Sequence, residues 1–348
     1  MIQTQTPAID LHFVGSPEGL EHELIAASRM HFAAYDRVQA GPMHGVGLLT
    51  AAKSAIKLLI GTAQALRLML AKRPGAAFLT GGWVGVPVAV AAWLLRVPVV
   101  IFVPDIEPGL TLKVIGRFAR VITATTDDTA AFFPGKRLVA TGYPLRGDLM
   151  AATRAEAVAR FGLDPQKRTL LVFGGSRGAR SINRAVMAAA AGWIQDLGLQ
   201  IIHVSGSLDW AELQAHHASL APALQADYHI YEYLHDLGLA MAAAELVISR
   251  AGASTLGEFP YFELPAILIP YPHAWRYQRV NAEWLSGRGA AHLLKDEDLG
   301  HLAGLVADLW GDAARLGEMA RAAGALKNGQ GAANIAKVIL AQMEQMPA

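Results

Sequence analysis

Residues 170–183 read LLVFGGSRGARSIN, and their order decides the fold. Four apolar residues, Leu170 to Phe173, make a buried strand too short to be a helix of its own. Gly174 and Gly175 form a tight turn. Ser176 stands where a helix N-cap belongs, and good helix formers follow from Ala179. A strand that runs through glycines into a helix start presents unpaired backbone N–H groups and the positive end of a dipole. That is a ready site for a diphosphate. Gly175 and Gly178 leave room for close approach of a ligand or a second backbone segment. No Gly-Lys-Ser/Thr follows, and the spacing is not that of G-x-G-x-x-G. Taken alone, the turn is equally an ordinary βα corner.

A second corner lies at 246–258, LVISRAGASTLGE. A strand leads through Arg250 into Gly252, Ala253, Ser254 and Thr255, then into a helix carrying Leu256, Gly257 and Glu258. Ser254 and Thr255 can cap that helix, and its N-terminus can face an anion. Glu258 falls in the first turn, where a carboxylate suits either a ribose diol or a capping box. Downstream, Pro270 and Pro272 fix an extended loop that carries His273, with Gln278 and Asn281 beyond it.

Strands alternate with helices over the rest of the chain. Strands are predicted at 9–14, 76–79, 97–103, 121–124 and 137–141, then at 170–173, 199–204, 228–231, 246–249 and 266–269. Helices are predicted at 18–29, 86–95, 109–118, 151–161 and 299–326. This pattern gives an α/β fold with doubly wound parallel sheets. Pro and Gly residues at 142–147 mark a boundary between an N-terminal domain, 1–147, and a C-terminal domain, 148–330. The amphipathic stretch 331–348 is predicted to form a helix that packs back on the first domain. Residues 48–71 form a long apolar helix in which Lys53, Lys57, Gln64 and Arg67 make one narrow polar stripe. Such a helix either packs on a sheet or meets lipid with its apolar flank and anionic headgroups with its cations.

The chain has 348 residues, enough for two domains. Its hydrophobic content of 53% against 17% charged residues is apolar for an enzyme and points to a membrane surface. The net charge of +1 argues against a nucleic-acid partner. With no cysteine, disulfides and thiolate metal sites are excluded. The first residues lack the basic and apolar regions of a signal peptide.

The two corners belong to an ordered set: Tyr-Pro-Leu-Arg146, Phe-Gly-Gly-Ser176-Arg-Gly-Ala179, Glu-Tyr-Leu234-His-Asp236, Ser-Arg250-Ala-Gly-Ala253-Ser-Thr-Leu-Gly-Glu258, and Pro-His273 through Gln278 to Asn281. In this order they resemble the bacterial N-acetylglucosaminyltransferases of peptidoglycan synthesis, inverting enzymes of the GT-B fold. The resemblance implies two Rossmann-like domains facing a cleft, with the donor UDP-N-acetylglucosamine held mainly by the second. Backbone groups near Leu234 would read the uracil and Glu258 would bind the ribose. Ser176 and the turn at 253–255 would hold the diphosphate and nearby sugar, Gln278 would contact sugar hydroxyls, and Arg146 would face the leaving diphosphate. The implied acceptor is an undecaprenyl-diphospho-N-acetylmuramoyl peptide at the cytoplasmic face of the membrane, with Gly82 and Trp83 as acceptor-side candidates. No cofactor or metal is implied.

Two departures stand out. The family opens with a strand and a Gly-rich, His-containing loop, whereas the first strand here matches the family's second. A central strand missing from such a sheet leaves unpaired N–H and C=O groups on both neighbours, each costing about 1–3 kcal/mol if buried. That is large against a total stability of about 5–15 kcal/mol. A start codon placed inside the native frame, a small separate subunit supplying the βα unit, or a UDP-sugar-binding protein without transferase activity would each account for it. Second, Asp105 occupies the family's Asn position near the donor sugar. A carboxylate there can serve as base for the acceptor hydroxyl or can merely cap the next helix. The expected function is transfer of N-acetylglucosamine to the lipid-linked acceptor; a glycolipid synthase of the same fold is the remaining alternative.

Overall fold

The computed structural model describes residues 9–17, 25, 32–175, 178–272 and 276–345. The chain divides into two compact units, Met1–Gly142 with Gln330–Ala348, and Tyr143–Gly329. The predicted helix at 18–29 lies outside the described residues apart from Ile25, which is helical.

In the first unit, strands β1 (His12–Gly15) and β2 (Ala34–Arg37) form one parallel pair. Helix α1 (Leu48–Lys72) leads to β3 (Ala77–Leu79), followed by α2 (Gly85–Leu94), β4 (Val99–Val103), α3 (Leu110–Gly116), β5 (Val121–Ala124) and β6 (Leu138–Ala140). Strands β3 to β6 make a second parallel sheet in chain order. Every residue of β4 is buried, as a strand covered on both faces requires. Among the described residues no strand joins the β1–β2 pair to the sheet of β3 to β6. His12, Phe13 and Val14 on one side, and Ala77, Phe78 and Leu79 on the other, wall a cavity of about 310 Å³. Strand β2 escaped the sequence reading because its four residues, AYDR, include two charges and no apolar alternation.

The second unit begins with one helical turn and then α4 (Arg154–Phe161), held by a full capping box between Thr153 and Glu156. There follow β7 (Thr169–Phe173), α5 (Arg180–Leu197), β8 (Gln200–Val204), α6 (Trp210–Ser219), β9 (Tyr228–Tyr231), α7 (Leu237–Ala243), β10 (Ala244–Ser249), α8 (Thr255–Tyr261), β11 (Ala266–Leu268), α9 (Tyr277–Ser286) and β12 (Ala291–Leu293). The six strands form one parallel sheet in the order β12-β11-β10-β7-β8-β9. Helix α5 buries Ile182, Val186, Ala190, Trp193 and Ile194 against this sheet, an apolar stripe at helical spacing.

The predicted single helix over 299–326 is two helices, α10 (Leu302–Gly311) and α11 (Ala313–Gly324). Asp312 breaks it: its carboxylate accepts the Arg315 N–H at 2.9 Å and so starts a new helix. The last helix, α12 (Gly331–Glu344), belongs to the first unit, where Asn334 Nδ2 donates to the Thr141 carbonyl at 3.1 Å.

Candidate functional site

The chain leaves β7 in one direction across the sheet, to β8 and β9, and returns on the other side as β10 and β11. Strands β7 and β10 are paired neighbours at this reversal, in register from Leu171–Val247 to Phe173–Ser249. Their carboxyl ends carry the two corners singled out from sequence. A crevice outside the strand ends at such a switch point is where open α/β sheets bind ligands.

The first corner is tightly built. Gly178 has φ +79°, and a Cβ there would overlap the Ser205 carbonyl. The Asn183 N–H reaches back to the Ala179 carbonyl at 2.9 Å, closing the first turn of α5. The N–H groups ahead of it are the orphan donors of a helix start. Gly174, Gly175, Gly178, Arg180, Arg184 and Arg250 line a cavity of about 910 Å³ over this corner. Asp296 lines it as well, so the three arginines share the cavity with an acid. Ser176 and His273 lie outside the described residues.

At the second corner Arg250 is committed to the protein. Its Nη1 donates to Asp296 Oδ1 at 2.6 Å and to the Ile269 carbonyl at 3.1 Å, and Nη2 donates to Ser181 Oγ at 2.9 Å. Only 10% of its side chain is exposed. Arg250 thus ties this corner to the start of α5, a role that required Ser181 and Asp296, which sequence reasoning missed. Thr255 Oγ1 donates to the Gly252 carbonyl at 2.7 Å, closing the turn through Ala253 and Ser254. Leu256 and Gly257 are buried behind it, and a side chain at Gly257 would strike Tyr143. Burial raises the Glu258 carboxyl above its ordinary pKa; a hydrogen bond with Ser254 and the charge of Arg146 pull the other way. A carboxylate in that position is a strong acceptor for any hydroxyl pair that replaces its lost water.

Gln278 Oε1 accepts the Tyr271 N–H at 2.9 Å, which leaves its amide nitrogen as the donor end at the cavity. Asn281 is fully buried, and its Nδ2 donates to the Ala251 carbonyl at 3.2 Å, so it supports the second corner from behind. Arg146 is largely exposed, with Nε 3.7 Å from Asp148. Leu234, in the segment between β9 and α7, shares with Arg146 the wall of a neighbouring cavity of about 860 Å³.

The first unit holds the acceptor-side candidates. Asp105 is half-buried on the turn after β4. Two residues on, Glu107 is buried and accepts from Lys113 Nζ at 3.2 Å. The sequence signal for that pair is a Glu in a Pro-bounded turn with a Lys one and a half helical turns later. Gly82 is exposed and Trp83 half-buried, both in the turn after β3. Helix α1 buries only Ser54, Gly61, Ala65 and Met69, and turns Leu48, Leu49, Ile56, Leu59 and Leu70 outward. By length and composition α1 is apolar enough to cross a membrane; Lys53 and Lys57 lie in its N-terminal half.

Comparison with known proteins matches residues 2–123 to the glycosyltransferase family 28 N-terminal domain and residues 169–339 to the family 28 C-terminal domain. A protein of Roseiflexus sp. (strain RS-1), named UDP-N-acetylglucosamine--N-acetylmuramyl-(pentapeptide) pyrophosphoryl-undecaprenol N-acetylglucosamine transferase, is 38% identical over 321 residues, 82% of this chain and 72% of its own. A protein of the same name from Desulforudis audaxviator (strain MP104C) is 35% identical, over 93% of this chain and 88% of its own. Among solved structures, Acinetobacter baumannii MurG superposes with a TM-score of 0.76 at 24% identity, over 97% of this chain and 93% of that one.

Proposed function

The chain belongs to glycosyltransferase family 28, and from that premise we propose that it transfers N-acetylglucosamine from UDP-N-acetylglucosamine to a lipid-linked, N-acetylmuramoyl-peptide acceptor in peptidoglycan synthesis. It is a hexosyltransferase of the GT-B fold. One observation carries the donor reading: two helix starts open from adjacent central strands at the reversal of the sheet, with a half-buried carboxylate, Glu258, beside one of them. That arrangement suits a nucleoside diphosphate. The helix starts and Arg146 meet the phosphates, Glu258 accepts from the ribose hydroxyls, and backbone groups at Leu234 read the base.

In the transfer itself the acceptor hydroxyl attacks the anomeric carbon as its bond to the diphosphate breaks, so the stereochemistry inverts. Negative charge grows on the departing UDP. Helix N-termini and a nearby guanidinium stabilise that charge more in the transition state than in the ground state, which lowers the barrier. Asp105 takes the hydroxyl proton in this reading. The outward apolar residues of α1, with Lys53, Lys57 and Arg67 among them, seat the protein on an anionic membrane surface where the acceptor resides. The test is transfer of radiolabel from UDP-N-acetylglucosamine to a soluble analogue of the lipid-linked acceptor. Glu258→Ala should abolish transfer while the protein keeps its fold. A purified protein that shows no preference for UDP over other nucleotides overturns the proposal.

A further inference from the structure

Behind the first corner runs a line of buried polar side chains that the transfer scheme leaves unused. Tyr228 on β9, His203 on β8, Asn183 on α5 and Asp209 at the start of α6 are each 3% exposed or less. His203 Nδ1 lies 2.8 Å from Tyr228 Oη, and its Nε2 lies 3.0 Å from Asn183 Oδ1. Asn183 Nδ2 donates to Asp209 Oδ2 and to the Ser205 carbonyl, both at 2.9 Å. Arg180 Nε donates to Asp209 Oδ1 at 2.6 Å.

The chemistry gives this line a single direction. The Asn183 nitrogen faces two acceptors, so its oxygen must face His203. That oxygen can only accept, so His203 carries its proton on Nε2. Nδ1 then accepts from the Tyr228 hydroxyl. Every atom in the line has its partner, and the line ends on a carboxylate that grips Arg180. Asp209 occupies the N-cap position of α6, where an Asp ordinarily accepts N–H groups of its own helix. Its side chain makes no such bond. The carboxylate is turned instead toward Arg180, which lines the cavity over the Gly-rich corner.

We propose that Asp209 is a positioning residue: backed by Asn183, His203 and Tyr228, it holds the Arg180 guanidinium at the mouth of the Gly-rich corner, where it discriminates for the diphosphate of the donor. The proposal rests on the donor reading above. Asp209→Asn presents an amide to two donors and so releases one of them.

The measurement is calorimetric binding of UDP and of uridine, which lacks phosphates, to the wild type, Asp209→Asn, Arg180→Gln and the double variant. Asp209→Asn should weaken UDP about tenfold while uridine binding stays within about twofold. Arg180→Gln alters a largely exposed side chain, keeps an amide donor for Asp209 and should give the same selective loss. The double variant should be no worse than Arg180→Gln alone, because Asp209 acts through Arg180. Equal weakening of UDP and uridine in Asp209→Asn, or an unchanged ratio with both still bound, overturns the positioning role alone. A wild-type protein that binds neither compound overturns the donor reading, and this proposal falls with it.

Discussion

Gly178 packs so close to the carbonyl oxygen of Ser205 that a Cβ there would overlap it, and the backbones of the turns after β7 and β8 abut at this point. Its φ of +79° adds a second constraint, since residues with a Cβ rarely adopt that conformation. Gly178→Ala must therefore both strain the backbone and push the two turns apart. The expected cost is about 2–4 kcal/mol, read as a lowered urea midpoint. A variant as stable as the wild type would show that the two turns are not in contact.

The raised pKa of Glu258 has a functional sign. Burial holds the carboxyl protonated to a higher pH than its ordinary 4.5, and a protonated carboxyl accepts ribose hydroxyls poorly. Uridine affinity should fall on acidification with a midpoint above that ordinary value. Glu258→Gln should bind weakly and show no such midpoint. Calorimetry with uridine isolates the effect, because uridine has no phosphate to titrate in that range. An affinity that is flat in the wild type removes Glu258 from the ribose.

His203 makes a prediction about stability. It is buried and neutral, and burial lowers its pKa from 6.5 to about 3. An unfolded chain takes up a proton on this residue below pH 6.5 and the folded chain does not. Stability is therefore lost as pH falls from 6.5 toward 3, by up to about 1.4 kcal/mol per pH unit. His203→Gln keeps a donor for Asn183 and does not titrate. Urea unfolding at pH 6.5, 5.5 and 4.5 should show a shallower acid loss in the variant than in the wild type, and parallel losses would contradict it.

Leu59 on α1 is 73% exposed and touches no core. Leu59→Ser should change stability by no more than about 0.5 kcal/mol. Co-sedimentation with vesicles containing anionic lipid should fall severalfold, and added salt should weaken the remainder. Undiminished binding would move the membrane-facing surface elsewhere.

Much of this was legible in the residues. The continuous apolar runs at 170–173 and 97–103 announced parallel strands, because a strand covered on both faces cannot alternate. Glycines between strand and helix announced both corners. What could not be read were roles set by partners far along the chain. Arg250 looks like a ligand-facing cation until Asp296 and Ser181, 46 and 69 residues away, turn its guanidinium inward. Asn281 reads as a site residue because it is polar near a proline loop, yet the fold buries it under Ala251. One clue was available for the polar line: Asn183 interrupts the apolar stripe of α5 beside Ile182 and Val186, where an amide needs buried partners.

The return of α12 to the first unit sets an order of assembly. Ala333, Ile335, Ala336 and Ile339 are buried there, and Gln345 Oε1 accepts from Arg120 Nη2 at 3.1 Å across 225 residues of sequence. On the ribosome, the segment from Tyr143 to Gly329 has all its strands and helices before the opening half has its last one. A nascent chain stalled ahead of Gln330 therefore carries a finished second unit and an unfinished first one. Damage near the carboxyl terminus would surface as a defect at the opposite end of the gene product.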